Sequence, residues 1–233
     1  MPLSLLPSAE SMSGPLPIPF PETLIRAGVS GFPSPAEDYT GRKLDLNTRF
    51  VKHPSATFFI DSRSATVAEF KHLSPCLLLC DQSIRPRAGH IIVLQSEGQT
   101  CVGRWMRHRG HNWLAASAGE GPKPIAAPDS SIIGVVRSVH ISLIDAPELE
   151  DGSTLDLNTH FIKCPSASFF MRATGDSMVE YKIPDPCLLL IDRSIPAAVG
   201  RVVVALVDGE VVVKKWERRA EEREQASAAL SNS

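Results

Sequence analysis

The sequence predicts a mainly β protein built as two tandem β units, the second truncated at its C-terminus. Three observations carry that expectation. A long stretch of the chain occurs twice, the apolar residues fall in short runs closed by turn residues, and prolines (19) and glycines (15) are plentiful while aromatics are 6% of the residues. Short apolar runs punctuated in this way read as strands joined by turns and argue against a long helical bundle.

The repeat is the strongest signal. Residues Leu44-Asp-Leu-Asn-Thr-Arg-Phe-Val-Lys-His-Pro-Ser-Ala-Thr-Phe-Phe59 return as Leu155-Asp-Leu-Asn-Thr-His-Phe-Ile-Lys-Cys-Pro-Ser-Ala-Ser-Phe-Phe170, 111 residues later. The offset continues without a gap: Pro75–Leu79 recurs as Pro186–Leu190, Asp81 as Asp192, Gly89 as Gly200, Val102 as Val213 and Trp105 as Trp216.

Taken in order, Met1–Gly31 is rich in proline and serine and reads as an extended arm (1–31). The first unit (32–142) has strand signals at Phe58–Ile60, after a Pro-Ser-Ala turn, and at Leu77–Leu79, before an Asp-x-Ser turn; it ends in the β-like run Ser130–Ser142. The second unit (143–219) repeats the first two as Phe169–Met171 and Leu188–Ile191, then gives a hairpin signal: Val202–Val207, the turn Asp208-Gly209, and Val211–Val213. Residues 220–233 are charged, then small and polar, and read as a disordered tail.

Composition narrows the function classes. A formal charge of −2 gives no global basic field for nucleic acid. Five cysteines, odd in number and without a Cys-x-x-Cys pair, suit neither a disulfide framework nor a zinc site. His108-x-x-His111 lacks a third ligand at useful spacing, and no metal or other cofactor is expected. The first residues lack a basic start followed by an apolar run, and no apolar stretch approaches the roughly 18–20 residues that span a bilayer. A cytoplasmic protein without membrane contact is the expectation.

Two short segments carry chemistry. Gly175-Asp176-Ser177-Met178 follows a strand, where a serine beside a glycine can expose its hydroxyl and offer backbone N–H groups to an oxyanion; such tetrapeptides are also ordinary turns. Val211-Val-Val-Lys-Lys215 ends in two lysines that alternate across a strand, so one should point inward, where lost hydration favours the neutral amine. A neutral lysine can accept a serine proton. The alternative is an edge strand guarded by charge.

The run Gly31-Phe-Pro-Ser-Pro-Ala-Glu-Asp-Tyr39, with Leu44-Asp-Leu-Asn47 and His53-Pro-Ser-Ala-Thr-Phe-Phe59, resembles the UmuD family of SOS mutagenesis proteins, relatives of the LexA repressor peptidase domain. Gly175-Asp-Ser-Met178 matches that family's nucleophile motif, and Lys214 follows Ser177 by 37 residues, the family's spacing to its general-base lysine. The resemblance covers roughly residues 22–219. It implies a self-cleaving serine endopeptidase with a Ser177–Lys214 dyad. Such a protein removes its N-terminal arm with a recombinase filament on single-stranded DNA as co-protease. It then serves as accessory subunit of a Y-family, polymerase V-like translesion polymerase, on a β fold that dimerises.

The chain departs from the pattern in complementary ways. In the first unit Thr66 stands at the serine register and Gly103 at the lysine register, which implies a pseudo-peptidase. The cut before the glycine of Gly-Phe-Pro-Ser-Pro falls at Ser30–Gly31, with Ala27–Gly28 as the alternative. The second unit keeps the dyad but has no evident arm, so the chain reads as a covalent pseudo-dimer, or a protein that pairs again with itself, in which one unit supplies the substrate and the other the scissors. Competing readings are a non-catalytic dimerisation or polymerase-binding subunit, and a LexA-type repressor peptidase fragment. About forty proline-rich residues cannot supply the helix-turn-helix a whole repressor needs.

Overall fold

The computed structural model describes residues 6–7, 15–20, 24–26, 42–63, 66–67, 73, 75–96, 99–108, 111–115, 123–124, 130–144, 154–208 and 210–217. Its elements are β1 (Leu6–Pro7), β2 (Ile18–Pro19), β3 (Leu24–Arg26), β4 (Lys43–Leu44), α1 (Leu46–Phe50), β5 (Thr57–Asp61), β6 (Thr66–Val67), β7 (Leu77–Asp81) and β8 (Ile91–Ser96). They continue with β9 (Gln99–His108), β10 (His111–Leu114), β11 (Lys123–Pro124), β12 (Ser130–His140), α2 (Leu157–Phe161), β13 (Ser168–Thr174), β14 (Cys187–Asp192), β15 (Val202–Val207) and β16 (Glu210–Lys215). The mainly β expectation holds: the runs read from the sequence lie inside β5, β7, β13, β14, β15 and β16, while the run Ser130–Ser142 extends past the end of β12 at His140.

The sequence offset reappears in the elements. Starting points of α1 and α2, β5 and β13, β8 and β15 differ by the same 111 residues. So do the single 3-10 turns Pro54–Ala56 and Pro165–Ala167, each of which places a proline where no helical N–H is required. Both short helices start from an aspartate whose carboxylate caps the helix. Asp45 accepts from the Thr48 N–H at 2.7 Å, and Asp156 from the Thr159 N–H at 3.0 Å.

By compactness the chain divides into one unit of residues 1–17 and 44–163 and another of 18–43 and 164–233. The first contains a nine-stranded sheet in the order β1-β5-β7-β12-β8-β9-β10-β11, with β6 paired to β9. β12 lies between β7 and β8, antiparallel to both, with a register shift against each. Phe58, Ile60, Cys76, Leu78, Cys80, Val93 and Val102 form its core, and Ile133, Val136 and Val139 of β12 pack onto that core.

Within this first unit, α1 and α2 bond to each other reciprocally. The Leu46 N–H donates to Asn158 Oδ1 and the Leu157 N–H to Asn47 Oδ1, both at 3.0 Å. Asn47 Nδ2 donates to Asp156 at 2.9 Å, and Asn158 Nδ2 to Asp45 at 2.7 Å. Both asparagines are buried, so each repeat satisfies the first helical N–H of the other.

The second unit has a three-stranded sheet, β14-β13-β3, and the separate hairpin β15-β16. Met171, Ala173, Met178, Ile183, Val211 and Val213 form its buried core. β3 runs parallel to β13, with Leu24 opposite Arg172, Ile25 opposite Ala173 and Arg26 opposite Thr174.

Candidate functional site

β13 delivers the chain to the Gly175–Met178 turn. Gly175 has φ of 99°, a left-handed conformation that glycine adopts at little cost, and its N–H donates to Asp185 Oδ1 at 3.0 Å. Met178, 3% exposed, is driven into the core, and a single 3-10 turn, Val179–Tyr181, follows it. The Val179 N–H closes back on the Asp176 carbonyl at 3.1 Å and the Ile183 N–H on the Met178 carbonyl at 3.2 Å. Ser177 is left on the exposed side of a turn held at both ends, the placement a nucleophile needs to meet a peptide.

Lys214 lies near the end of β16, opposite Val203 of β15. Val213, the residue before it, is fully buried in the core that also holds Met178, the residue after Ser177. Both site residues are thus neighbours in sequence of side chains fixed in one apolar cluster. The structure corrects one expectation here: neither Lys214 nor Lys215 points inward, and both are exposed. Val211, Val212 and Val213 are all buried, so β16 is enclosed on both faces up to Val213 and leaves the core at its last two residues. The Lys215 ammonium sits 5.2 Å from the centroid of the Tyr181 ring and 3.9 Å from Glu217.

In the first unit, the serine register falls on β6 and the lysine register on β9. Thr66 stands opposite Cys101 and Val67 opposite Val102, so Gly103 is the next residue along β9. A Cβ at Gly103 would come within 2.8 Å of the Ala115 carbonyl and 3.0 Å of the Leu114 side chain, so the space a lysine would need is already filled. Ser30, Gly31, Ala27 and Gly28 lie outside the described residues. Sequence reasoning missed the roles of Met178 and Asp185, whose only sequence sign is proximity to Ser177. Among the described residues no group of three or more metal-ligating side chains occurs, and no helix is long and apolar enough to cross a membrane.

Burial and hydrogen bonding shift titratable groups in each unit. Burial, then the neighbouring Asp185 charge, pushes the Cys187 thiol up to about 11, so it stays protonated and inert at neutral pH. In the first unit Asp81 is fully buried. Burial opposes its ionisation, but hydrogen bonds from Ser83, His53 and Arg137 outweigh that and hold its carboxyl below the usual range. Asp192, its counterpart, accepts from the Ser194 N–H at 2.8 Å and the Ser194 hydroxyl at 2.6 Å.

Comparison with known proteins gives this site a family context. Residues 142–228, which include Ser177 and Lys214, match the family described as Peptidase S24-like. The chain is 37% identical over 75 residues to protein SamA of Salmonella typhimurium, covering 32% of this chain and 54% of SamA. It is 39% identical over 61 residues to protein MucA of Escherichia coli, covering 26% and 42%. It is also 46% identical over 57 residues to the LexA repressor of Syntrophobacter fumaroxidans, covering 24% and 28%. The chain spans about half the length, or less, of these curated relatives.

Proposed function

We propose, from the match of residues 142–228 to the Peptidase S24-like family and the similarity of the chain to proteins SamA and MucA, that this protein cuts its own N-terminal arm with Ser177 as nucleophile and Lys214 as general base. One observation carries the reading. β3, the last described part of the arm before the candidate bonds, runs parallel to β13, the strand that leads into the serine turn. Arg26 is opposite Thr174; the next residues are Ala27 and Gly28 on one side and Gly175 to Ser177 on the other. The described end of the arm, Leu24–Arg26, is thus paired as an added strand on the strand that leads into the serine turn, a common way to present an extended peptide. This favours Ala27–Gly28 over Ser30–Gly31 as the bond cut.

The chemistry follows from the residue types. Neutral Lys214 takes the Ser177 proton and the oxygen attacks the scissile carbonyl, with backbone N–H groups of the turn receiving the oxyanion. Collapse breaks the C–N bond as the Lys214 ammonium protonates the leaving amine, and water then hydrolyses the Ser177 ester. An exposed lysine must move or be covered to work as a neutral base. The arm itself, or a recombinase filament acting as co-protease, supplies that cover by excluding water from Lys214. The trimmed chain then acts as accessory subunit of a Y-family polymerase in SOS mutagenesis, within the cytoplasm. The reciprocal Asn47 and Asn158 bonds support the reading of the two repeats as an intramolecular pseudo-dimer descended from a tandem duplication. The exposure of Lys214 favours one alternative, a polymerase-binding subunit that no longer cuts.

Mass analysis after incubation at raised pH, and with a recombinase filament, separates the two. Self-cutting should accelerate as pH rises, because only the neutral amine is a base. Ser177→Ala should abolish it and Thr66→Ala should leave it intact; a chain intact under both conditions supports the binding subunit.

A further inference from the structure

The two repeats line their cores with corresponding side chains, but among the described residues only one of those sets is fully buried. In the first unit Phe58, Cys76, Leu78, Cys80 and Val93 are 0–5% exposed, beneath the apolar side chains of β12. The residues 111 positions later, Phe169, Cys187, Leu189, Ile191 and Val204, are each only half-buried, although they pack around the same kind of core. The cause is visible in the topology. β12 pairs with β7 on one side and β8 on the other, whereas among the described residues no strand pairs with the free edge of β14 or of β15. Leu206 and Val207, at the end of β15, are 56% and 50% exposed.

We propose that this slot between β14 and β15 binds an extended strand supplied by another polypeptide, antiparallel to both and patterned like β12. Three features of the first unit specify that strand. It carries β-branched residues toward the core, as Ile133, Val136 and Val139 do. It carries a glycine where Gly134 crosses the Phe58 ring, since a Cβ there would lie 2.9 Å from that ring and 3.2 Å from the Asp81 carbonyl; Phe169 keeps the ring in the second unit. It carries an arginine in the place of Arg137, whose guanidinium meets Asp81 at 3.2 Å; Asp192 keeps the carboxylate.

A second copy of this chain is a poor donor. Among the described residues each copy has two such positions and a single β12, already seated in its own sheet, so an exchange between copies opens one slot for each it fills. Free strand edges above an apolar face are, in general, sites of strand addition. The proposal does not depend on the peptidase reading.

The test uses the full chain and a fluorescent synthetic peptide of residues Ser130–Ser142, followed by anisotropy and by backbone hydrogen exchange. Saturable binding is expected, with exchange at 188–192 and 203–207 slowed at least tenfold. A peptide carrying Gly134→Val should bind at least tenfold more weakly, and one carrying Arg137→Glu should also lose affinity. The proposal is overturned by no binding, by protection confined to the first unit, or by equal binding of the Gly134→Val peptide. It is equally overturned if the chain alone protects those strands in a concentration-dependent way, which would make a second copy the occupant.

Discussion

Gly134 stands where β12 crosses the Phe58 ring, and the crossing leaves no room for a side chain. Gly134→Val is therefore expected to destabilise the first unit by about 1–3 kcal/mol, the usual range for overpacking, as read by urea unfolding; unchanged stability would show that β12 can shift. His140 gives a pH-dependent counterpart. Its ring lies 4.8 Å from Phe50 and 5.7 Å from Phe161 between centroids. Burial, then the nearby His160 charge, lowers its pKa to about 4. The unfolded chain, titrating near 6.5, takes up the proton first, so this group costs stability only as pH falls from about 6.5 toward 4 and contributes nothing above that window. Thermal unfolding from pH 7.5 to 4.5 should show a decline that His140→Phe reduces. An equal decline in that variant would assign the effect elsewhere.

At the scale of elements, the reciprocal pairing of α1 and α2 is the feature with the clearest mutational signature. Asn47→Ala leaves the buried Leu157 N–H without its acceptor, and Asn158→Ala does the same to Leu46. Each should cost about 1–3 kcal/mol, the penalty for an unsatisfied buried polar group. The double variant should cost less than the sum, because either change loosens the shared contact. Full additivity would mean the two helices do not act as one unit. The repeated Leu-Asp-Leu-Asn was plain in the sequence, but its partner lies 111 residues away, and no local pattern reports which copy caps which. Strands were easier to read, since Leu77–Asp81 and Val202–Val207 are short apolar runs bounded by turn residues. The lysines were misread because alternation sets faces only while a strand remains in the core, and β16 leaves it after Val213.

For the whole molecule, sequence made the repeat and the serine–lysine spacing legible because both depend on order along the chain. It did not reveal that β3 runs beside β13, since a short segment in a proline-rich arm carries no strand signal of its own. Nor did it specify the half-buried apolar residues of β14 and β15, which stand out only when they are compared with the side chains around β12. The two repeats differ in burial: Thr66 and Gly103 stand in the one whose core residues are nearly fully buried, Ser177 and Lys214 in the one whose corresponding residues are half-buried. The central claim is that the second half cuts the arm, and intact-mass analysis of the purified chain at raised pH with a recombinase filament tests it most directly. A new species lacking residues 1–27 is expected, absent in Ser177→Ala and in Lys214→Ala and unaffected by Thr66→Ala. A chain that stays whole, or is cut as fast in Ser177→Ala, would contradict it.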